Sequence, residues 1–158
     1  EESAQGDHAR GLTERGTADA AALGAWLGKL PMRPSLVLCS TAVRTRQTLA
    51  AFGMRLPTIL SDKLYLASTT DMLALVRGAD DAESTLLLLC HNPGAHALLG
   101  LLVGTCADPK DEARMLLKFP TAACAVIDFS VSHWSEIAPG SGVLTHLRIA
   151  HDDTSYAH

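Results

Sequence analysis

Residues 84–94 read STLLLLCHNPG, and this stretch decides the class of fold. The apolar run that ends at Cys90 is short and uninterrupted, which is typical of a strand covered on both faces of a parallel sheet. Pro93 and Gly94 are turn residues, and the apolar residues over 95–103 predict a helix. The sequence therefore predicts a strand, a polar loop and a helix in direct succession, which is the repeating unit of α/β proteins.

The same order recurs upstream, where residues 35–48 read SLVLCSTAVRTRQT. The apolar residues up to Cys39 predict a second buried strand, and Ser40 is predicted to cap a helix over about residues 41–52. Alternating strands and helices predict one domain spanning residues 1–158, a three-layer α/β/α sandwich with a mostly parallel central sheet. The other predicted elements are a helix from a Thr13 cap to Pro31, a helix over 69–77, strands near 58–60, 122–129 and 143–150, and an irregular segment over 104–118.

The composition fits a globular domain and disfavours several functions. Of the 158 residues 47% are apolar, and the net charge is −4, so neither a nucleic acid nor an anionic membrane is favoured as a partner. Four cysteines without a CxxC pair disfavour a zinc ribbon, and Cys39 and Cys90, which end apolar runs, are predicted to be buried thiols in a reducing, cytoplasmic compartment. Cys39 and Arg44 have the spacing of a thiol-phosphatase loop without its glycines, and that mechanism is a rival hypothesis.

Two polar residues occupy the strand-to-helix junctions. Arg44 falls in the first turn of its helix, where backbone N–H groups favour an anion and the guanidinium fits phosphate oxygens. His91 directly follows a strand, where an imidazole can bond a phosphoryl oxygen. Because ligands bind beyond the carboxyl ends of parallel strands, both are candidates for one anion site. The alternatives are a solvated surface arginine and a loop histidine bonded to a carbonyl; Arg46 is predicted to lie on the surface and His96 to be structural.

These motifs resemble those of a known family. STAVRTRQT at residues 40–48, followed by HNPG at 91–94, resembles the histidine phosphatase (phosphoglycerate mutase-like) superfamily, in particular its SixA-type phosphohistidine phosphatases. DHARGLTERG at 7–16 and FPT at 119–121 are similar to further segments of the family. The resemblance covers essentially the whole chain and implies that family's fold, with phosphohydrolase activity that needs no metal or other cofactor.

The resemblance also implies roles for individual residues. Arg44 would bind the phosphoryl group, His91 would be the second active-site histidine, and Arg10 would approach the same pocket. The family's nucleophile is a histidine in an Arg-His-Gly or Arg-His-Ala sequence that ends the first strand, and residues 1–158 contain no such sequence. We expect that strand and the first catalytic loop to precede Glu1, because their loss would expose apolar surface and unpaired backbone groups. His8 corresponds to a variable loop position and is not expected to be the nucleophile.

The substrate expected from the resemblance is phosphohistidine on a protein. Many relatives that cleave phosphate esters carry a carboxylate acid after the third strand, whereas residues 63–67 read KLYLA. Asp62 and Asp71 flank this stretch and are expected to be solvated. Residues 60–84 also contain no long insertion to form a lid, and an open site suits a protein-borne phosphoryl group. Small phosphomonoesters as substrates, or a non-catalytic phosphate-binding or interaction domain, are the alternatives.

Overall fold

The computed structural model describes residues 4–151, in which helices and strands alternate along the chain. The helices are α1 (Ala4–Ala9), α2 (Glu14–Gly28), α3 (Val43–Ala51), α4 (Thr69–Arg77), α5 (Gly94–Leu102) and α6 (Pro109–Leu117). The strands are β1 (Leu36–Ser40), β2 (Thr58–Ser61), β3 (Leu86–Leu89), β4 (Val103–Cys106), β5 (Cys124–Asp128) and β6 (Gly142–Arg148). Short 3-10 helices at Asp62–Leu64 and Trp134–Glu136 follow β2 and β5. Across this part of the chain no helix is long and apolar enough to cross a membrane.

The strands pair in two groups of three. In the first group β1 lies between β2 and β3, and both neighbours run parallel to it. In the second group β6 lies between β4, which is parallel, and β5, which is antiparallel. All pairings except that of β5 with β6 are parallel, which confirms the mostly parallel α/β architecture.

Helices cover both faces of the first sheet, because successive residues of a strand point to opposite sides. Leu86 and Leu88 of β3 pack against the apolar cluster formed with α4 and α5. Leu87 and Leu89 pack instead against α2 and against Phe52, the residue that follows α3. The central strand β1 is buried on both faces, as the apolar run predicts. These layers form the predicted three-layer sandwich.

Strands β3 and β5 lie at the edges of the two sheets and yet contribute to the same apolar clusters. Cys124 of β5 packs in the cluster of Leu87 and Leu89, and Ile127 packs in the cluster of Leu86 and Leu88. All four leucines of β3 are only partly buried, whereas Val37 of β1 has 0% exposure. Within residues 4–151, β3 and β5 are each hydrogen-bonded to a neighbouring strand on one side.

Two local predictions are wrong. Residues 104–118 are not irregular, because most of them belong to β4 and α6. Pro109 occupies the first turn of α6, where its missing N–H would have no helical partner, and Asp108 caps the helix by accepting from the Lys110 N–H at 3.0 Å. Ser40 does not cap α3 but ends β1, and the position before α3 is Ala42. The Ser40 hydroxyl accepts a hydrogen bond of 3.3 Å from the Ala42 N–H. It also bonds His91, in the site described below.

Candidate active site

Arg44 and His91 meet where β1 and β3 end. The two strands are adjacent and parallel, with Cys39 opposite Leu89, so the loops that follow them begin side by side. The Nη2 atom of Arg44 lies 3.2 Å from Nδ1 of His91. The Arg44 side chain is 19% exposed, so the pair lies in the mouth of the sheet and not on the open surface.

His91 is held in its neutral form. Burial is the largest cause and lowers its pKa from 6.5 to about 4, and the positive charge of Arg44 acts in the same direction. The carboxylate of Asp7 partly opposes this effect. Near pH 7 the ring is therefore uncharged, and of the two residues only Arg44 supplies positive charge.

The hydrogen bonds of His91 assign its tautomer. A guanidinium can only donate, so Nδ1 must accept from Arg44 and the single proton of the neutral ring must lie on Nε2. Nε2 lies 2.8 Å from Oγ of Ser40, which therefore accepts the bond. Ser40 is fully buried at the end of β1, so the imidazole is anchored to a rigid strand.

Arg44 also binds the carboxylate of Asp7, a negatively charged group of the protein itself. Its Nη2 lies 3.2 Å from Oδ2 of Asp7, and its Nη1 donates to the backbone carbonyl of Asp7 at 2.8 Å. The Tyr65 hydroxyl donates to Oδ2 at 2.6 Å, and Arg10 donates to Oδ1 at 3.1 Å. The hydrogen bond from Tyr65, followed by that from Arg10, lowers the pKa of Asp7 to about 2. This end of the sheet therefore stabilises a negatively charged oxygen group.

Tyr65 and His8 add two further rings beside His91. The Tyr65 ring is edge-on to His91, with centroids 5.5 Å apart, and edge-on to His8, with centroids 5.0 Å apart. Nε2 of His8 lies 2.9 Å from Oγ1 of Thr41, in the loop between β1 and α3. The Thr41 hydroxyl in turn donates to the Asp62 carboxylate. The α1 segment thus brings Asp7 and His8 against the loop that precedes Arg44.

The remaining predicted residues lie at the border of the site or away from it. The Arg10 side chain is 63% exposed and lies at the border of the site. It forms an ion pair with the same Asp7 carboxylate that Arg44 binds. Arg46 is exposed, as predicted. His96 is structural, as predicted, because its Nε2 lies 2.7 Å from the Met115 carbonyl and its ring stacks on Phe119.

Neither cysteine near the site is suited to be a nucleophile. Cys39 has 0% exposure, and its thiol donates to the Ser40 carbonyl. Burial raises the pKa of Cys39, and it raises the pKa of Cys90 to about 11. A thiolate is the reactive form of cysteine, so the geometry gives no support to the thiol mechanism.

Four site residues were not identified from the sequence. Asp7 and His8 belong to the DHAR motif, and Ser40 begins the STAVR motif. In both motifs only the arginine was predicted to be a site residue, although the neighbouring polar residues could have been considered as well. Tyr65 has no such signal. It follows the 3-10 helix at Asp62–Leu64, and only the packing of that helix beside β1 brings its ring to His91.

Comparisons with known proteins identify the family of the chain. A family model described as histidine phosphatase superfamily (branch 1) matches residues 1–65. An uncharacterized protein of Mycobacterium tuberculosis (strain ATCC 25618 / H37Rv) is 35% identical over 146 residues, which cover 90% of this chain and 90% of that protein. The structure of SixA from Nakamurella multipartitia is 36% identical, with a TM-score of 0.80, and the match covers 93% of this chain and 88% of that one. The chain belongs to the histidine phosphatase superfamily.

Further solved structures share the same fold. SixA from Agrobacterium tumefaciens is 28% identical, with a TM-score of 0.73 over 90% of this chain and 85% of that one. A SixA structure complexed with tungstate is 20% identical, with a TM-score of 0.70 over 92% and 87% of the two chains, and it shows a common fold. Superfamily membership assigns the phosphoglycerate mutase-like fold and makes the protein a phosphohydrolase that works through a phosphohistidine intermediate.

Proposed function

We propose that this histidine phosphatase removes the phosphoryl group from phosphohistidine on a protein, and that Arg44 and His91 bind that group. The observation that carries the proposal is that the Arg44 guanidinium and the Tyr65 hydroxyl both bind the Asp7 carboxylate, a negatively charged oxygen group. A phosphoryl group presents more oxygens and more charge to the same forked donors. A SixA structure of the same fold is complexed with tungstate, a tetrahedral oxyanion shaped like phosphate.

The hydrogen bonds of His91 can be exchanged when a phosphoryl group replaces Asp7. Once Arg44 turns from Nδ1 of His91 to the phosphoryl oxygens, Nδ1 becomes available. The Ser40 hydroxyl can donate as well as accept, so it can support the tautomer in which the proton lies on Nδ1. His91 then donates to a phosphoryl oxygen as a neutral group held in place before the reaction, as in oxyanion sites.

We place the nucleophilic histidine at the end of a strand that pairs with β3. Strands β3 and β5 share two apolar clusters and, within residues 4–151, each has an unpaired edge. A strand parallel to β3 would end beside His91, because parallel strands bring their carboxyl ends to one edge of the sheet. The histidine at that end would attack phosphorus, and water would hydrolyse the resulting phosphohistidine.

A protein-borne phosphoryl group is favoured by the surroundings of the site. The low pKa of Asp7, about 2, keeps that carboxylate ionised, so Asp7 is not a carboxylic acid of the kind that many phosphate-ester-cleaving relatives use. An imidazole departs more easily than an alkoxide. Leu66, next to Tyr65, is 74% exposed, so this side of the site is open to a protein surface. The four free cysteines support a reducing, cytoplasmic location.

The test compares phosphate release from a phosphohistidine-carrying protein and from para-nitrophenyl phosphate, both with the full-length enzyme. We expect the higher kcat/KM for the phosphoprotein, together with a radioactive phosphoenzyme that is labile in acid and stable in alkali. Arg44→Ala should lower kcat/KM by about 10²–10³-fold, because it removes a principal donor to the phosphoryl oxygens.

The matched control is Arg46→Ala, which removes an exposed arginine from the same helix and should retain the wild-type rate. A higher kcat/KM for para-nitrophenyl phosphate would favour small phosphomonoesters as substrates. Phosphate binding without turnover of either substrate would favour a binding domain.

A further inference from the structure

We infer that His8 is a catalytic residue that donates a proton to the departing group of the substrate. The inference rests on the proposed function, since it concerns the same phosphoryl site. When the bond to phosphorus breaks, its electron pair stays on the leaving atom, and the group departs as a neutral molecule only if a proton reaches it. Asp7 stays ionised at neutral pH and cannot supply that proton, and Tyr65 already donates to Asp7.

The contacts of His8 determine which of its nitrogens exchanges a proton. The hydroxyl of Thr41 has one hydrogen, which it donates to the Asp62 carboxylate. Thr41 must therefore accept from His8, so Nε2, which lies 2.9 Å from Oγ1, carries a hydrogen. The proton that His8 gains and loses lies on Nδ1. The Asp62 carboxylate thus helps to orient the His8 ring through Thr41.

The position of His8 matches this task. It directly follows Asp7, whose carbonyl and carboxylate oxygens are both held by Arg44. Its ring lies against Tyr65, which itself contacts His91. The charge of His8 contributes to the lowering of the His91 pKa, so the two rings lie within electrostatic range of each other. His8 is partly buried, which leaves it open to a substrate that enters at the rim.

In each cycle His8 gives one proton to the leaving group and takes one from water. As the nucleophile attacks phosphorus, the bond from phosphorus to the leaving nitrogen or oxygen breaks, and that atom keeps the electron pair. The proton of Nδ1 moves to the departing group, and His8 becomes neutral. In the second half of the reaction a water attacks phosphorus, the bond from phosphorus to the nucleophilic nitrogen breaks with its electron pair on that nitrogen, and one proton of the water moves to Nδ1 of His8. The cycle consumes one water and releases one phosphate, and His8 returns to its charged form.

The test exploits leaving groups of different basicity. Phenyl phosphate needs a proton as phenol departs, whereas dinitrophenolate leaves readily as an anion. In the full-length enzyme, His8→Ala should lower kcat/KM for phenyl phosphate by about 10²–10⁴-fold and that for 2,4-dinitrophenyl phosphate by about tenfold or less. His8 contacts Tyr65 directly and the Asp62 carboxylate through Thr41.

Variants of Thr41 separate proton transfer from packing. Thr41→Val keeps the shape but breaks the bond to His8, so it should also lower the phenyl phosphate rate selectively, and Thr41→Ser should restore it. An equal loss for both substrates in His8→Ala would overturn the inference. If phosphohistidine protein is not cleaved but His8→Ala still discriminates between the two esters, the substrate proposal fails and the inference stands.

Discussion

Acid should destabilise this fold through His91, and the size of the effect follows from its surroundings. The folded pKa is about 4, against 6.5 for an ordinary histidine. Between these values the unfolded chain binds a proton that the folded chain does not, so the free energy of unfolding falls as the pH falls through this window. At about 1.36 kcal/mol for each pH unit, the difference of about 2.5 corresponds to at most about 3.4 kcal/mol. Because the ring is only partly buried, solvent screening reduces the expected loss to about 1–2 kcal/mol.

The measurement is urea unfolding, followed by tryptophan fluorescence, of the wild type and of His91→Gln between about pH 7.5 and pH 4. Glutamine can still bond Ser40 but does not titrate, so the wild type should lose stability relative to the variant as the pH falls. Asp81 raises the pKa of His133, which adds stability at low pH and removes it as the pH rises, but both proteins contain this pair and it cancels. A difference between the two proteins that does not change with pH would refute the reasoning.

Three further predictions use other contacts of the chain. Asp7→Asn should tighten the binding of phosphate or tungstate in calorimetry, because a neutral amide competes less for the guanidinium than a carboxylate does; weaker binding would contradict this. Cys90→Ala should leave kcat/KM almost unchanged, because the thiol has a pKa of about 11, and loss of activity with retained folding would revive the thiol mechanism. Gly24→Ala should cost about 1–3 kcal/mol in thermal unfolding, since its Cβ would lie 2.5 Å from Cα of Phe52; Gly28→Ala, with open space around it, is the control.

The main elements of the fold could be predicted because each has a local signature. The apolar runs of β1 and β3 and the apolar spacing of α4 can be read without knowledge of the tertiary structure. Helix α6 was missed because only Asp111 and Met115 of it are buried, so alternating charges hide its apolar face. The proline that suggested a loop marks the start of this helix instead.

Only part of the candidate site could be predicted, because some of its residues have no local sequence signature. Arg44 and His91 each follow a strand, and the position of a residue after a parallel strand indicates where it lies in the sheet. Tyr65 and Asp7 come together from segments far apart in sequence, and no local pattern encodes their contact. The neutral state of His91 likewise depends on burial and on its neighbour, which appear only in the folded chain.

The edges of β3 and β5 affect how the protein behaves in solution. Strand β3 consists of four leucines, so it has neither the charges nor the proline with which natural edge strands discourage unwanted pairing. Any form of the protein in which these edges stay uncovered is prone to intermolecular β-sheet growth and precipitation. A synthetic peptide that pairs with the edge of β3 should suppress this aggregation, because it would occupy the backbone groups available for intermolecular pairing.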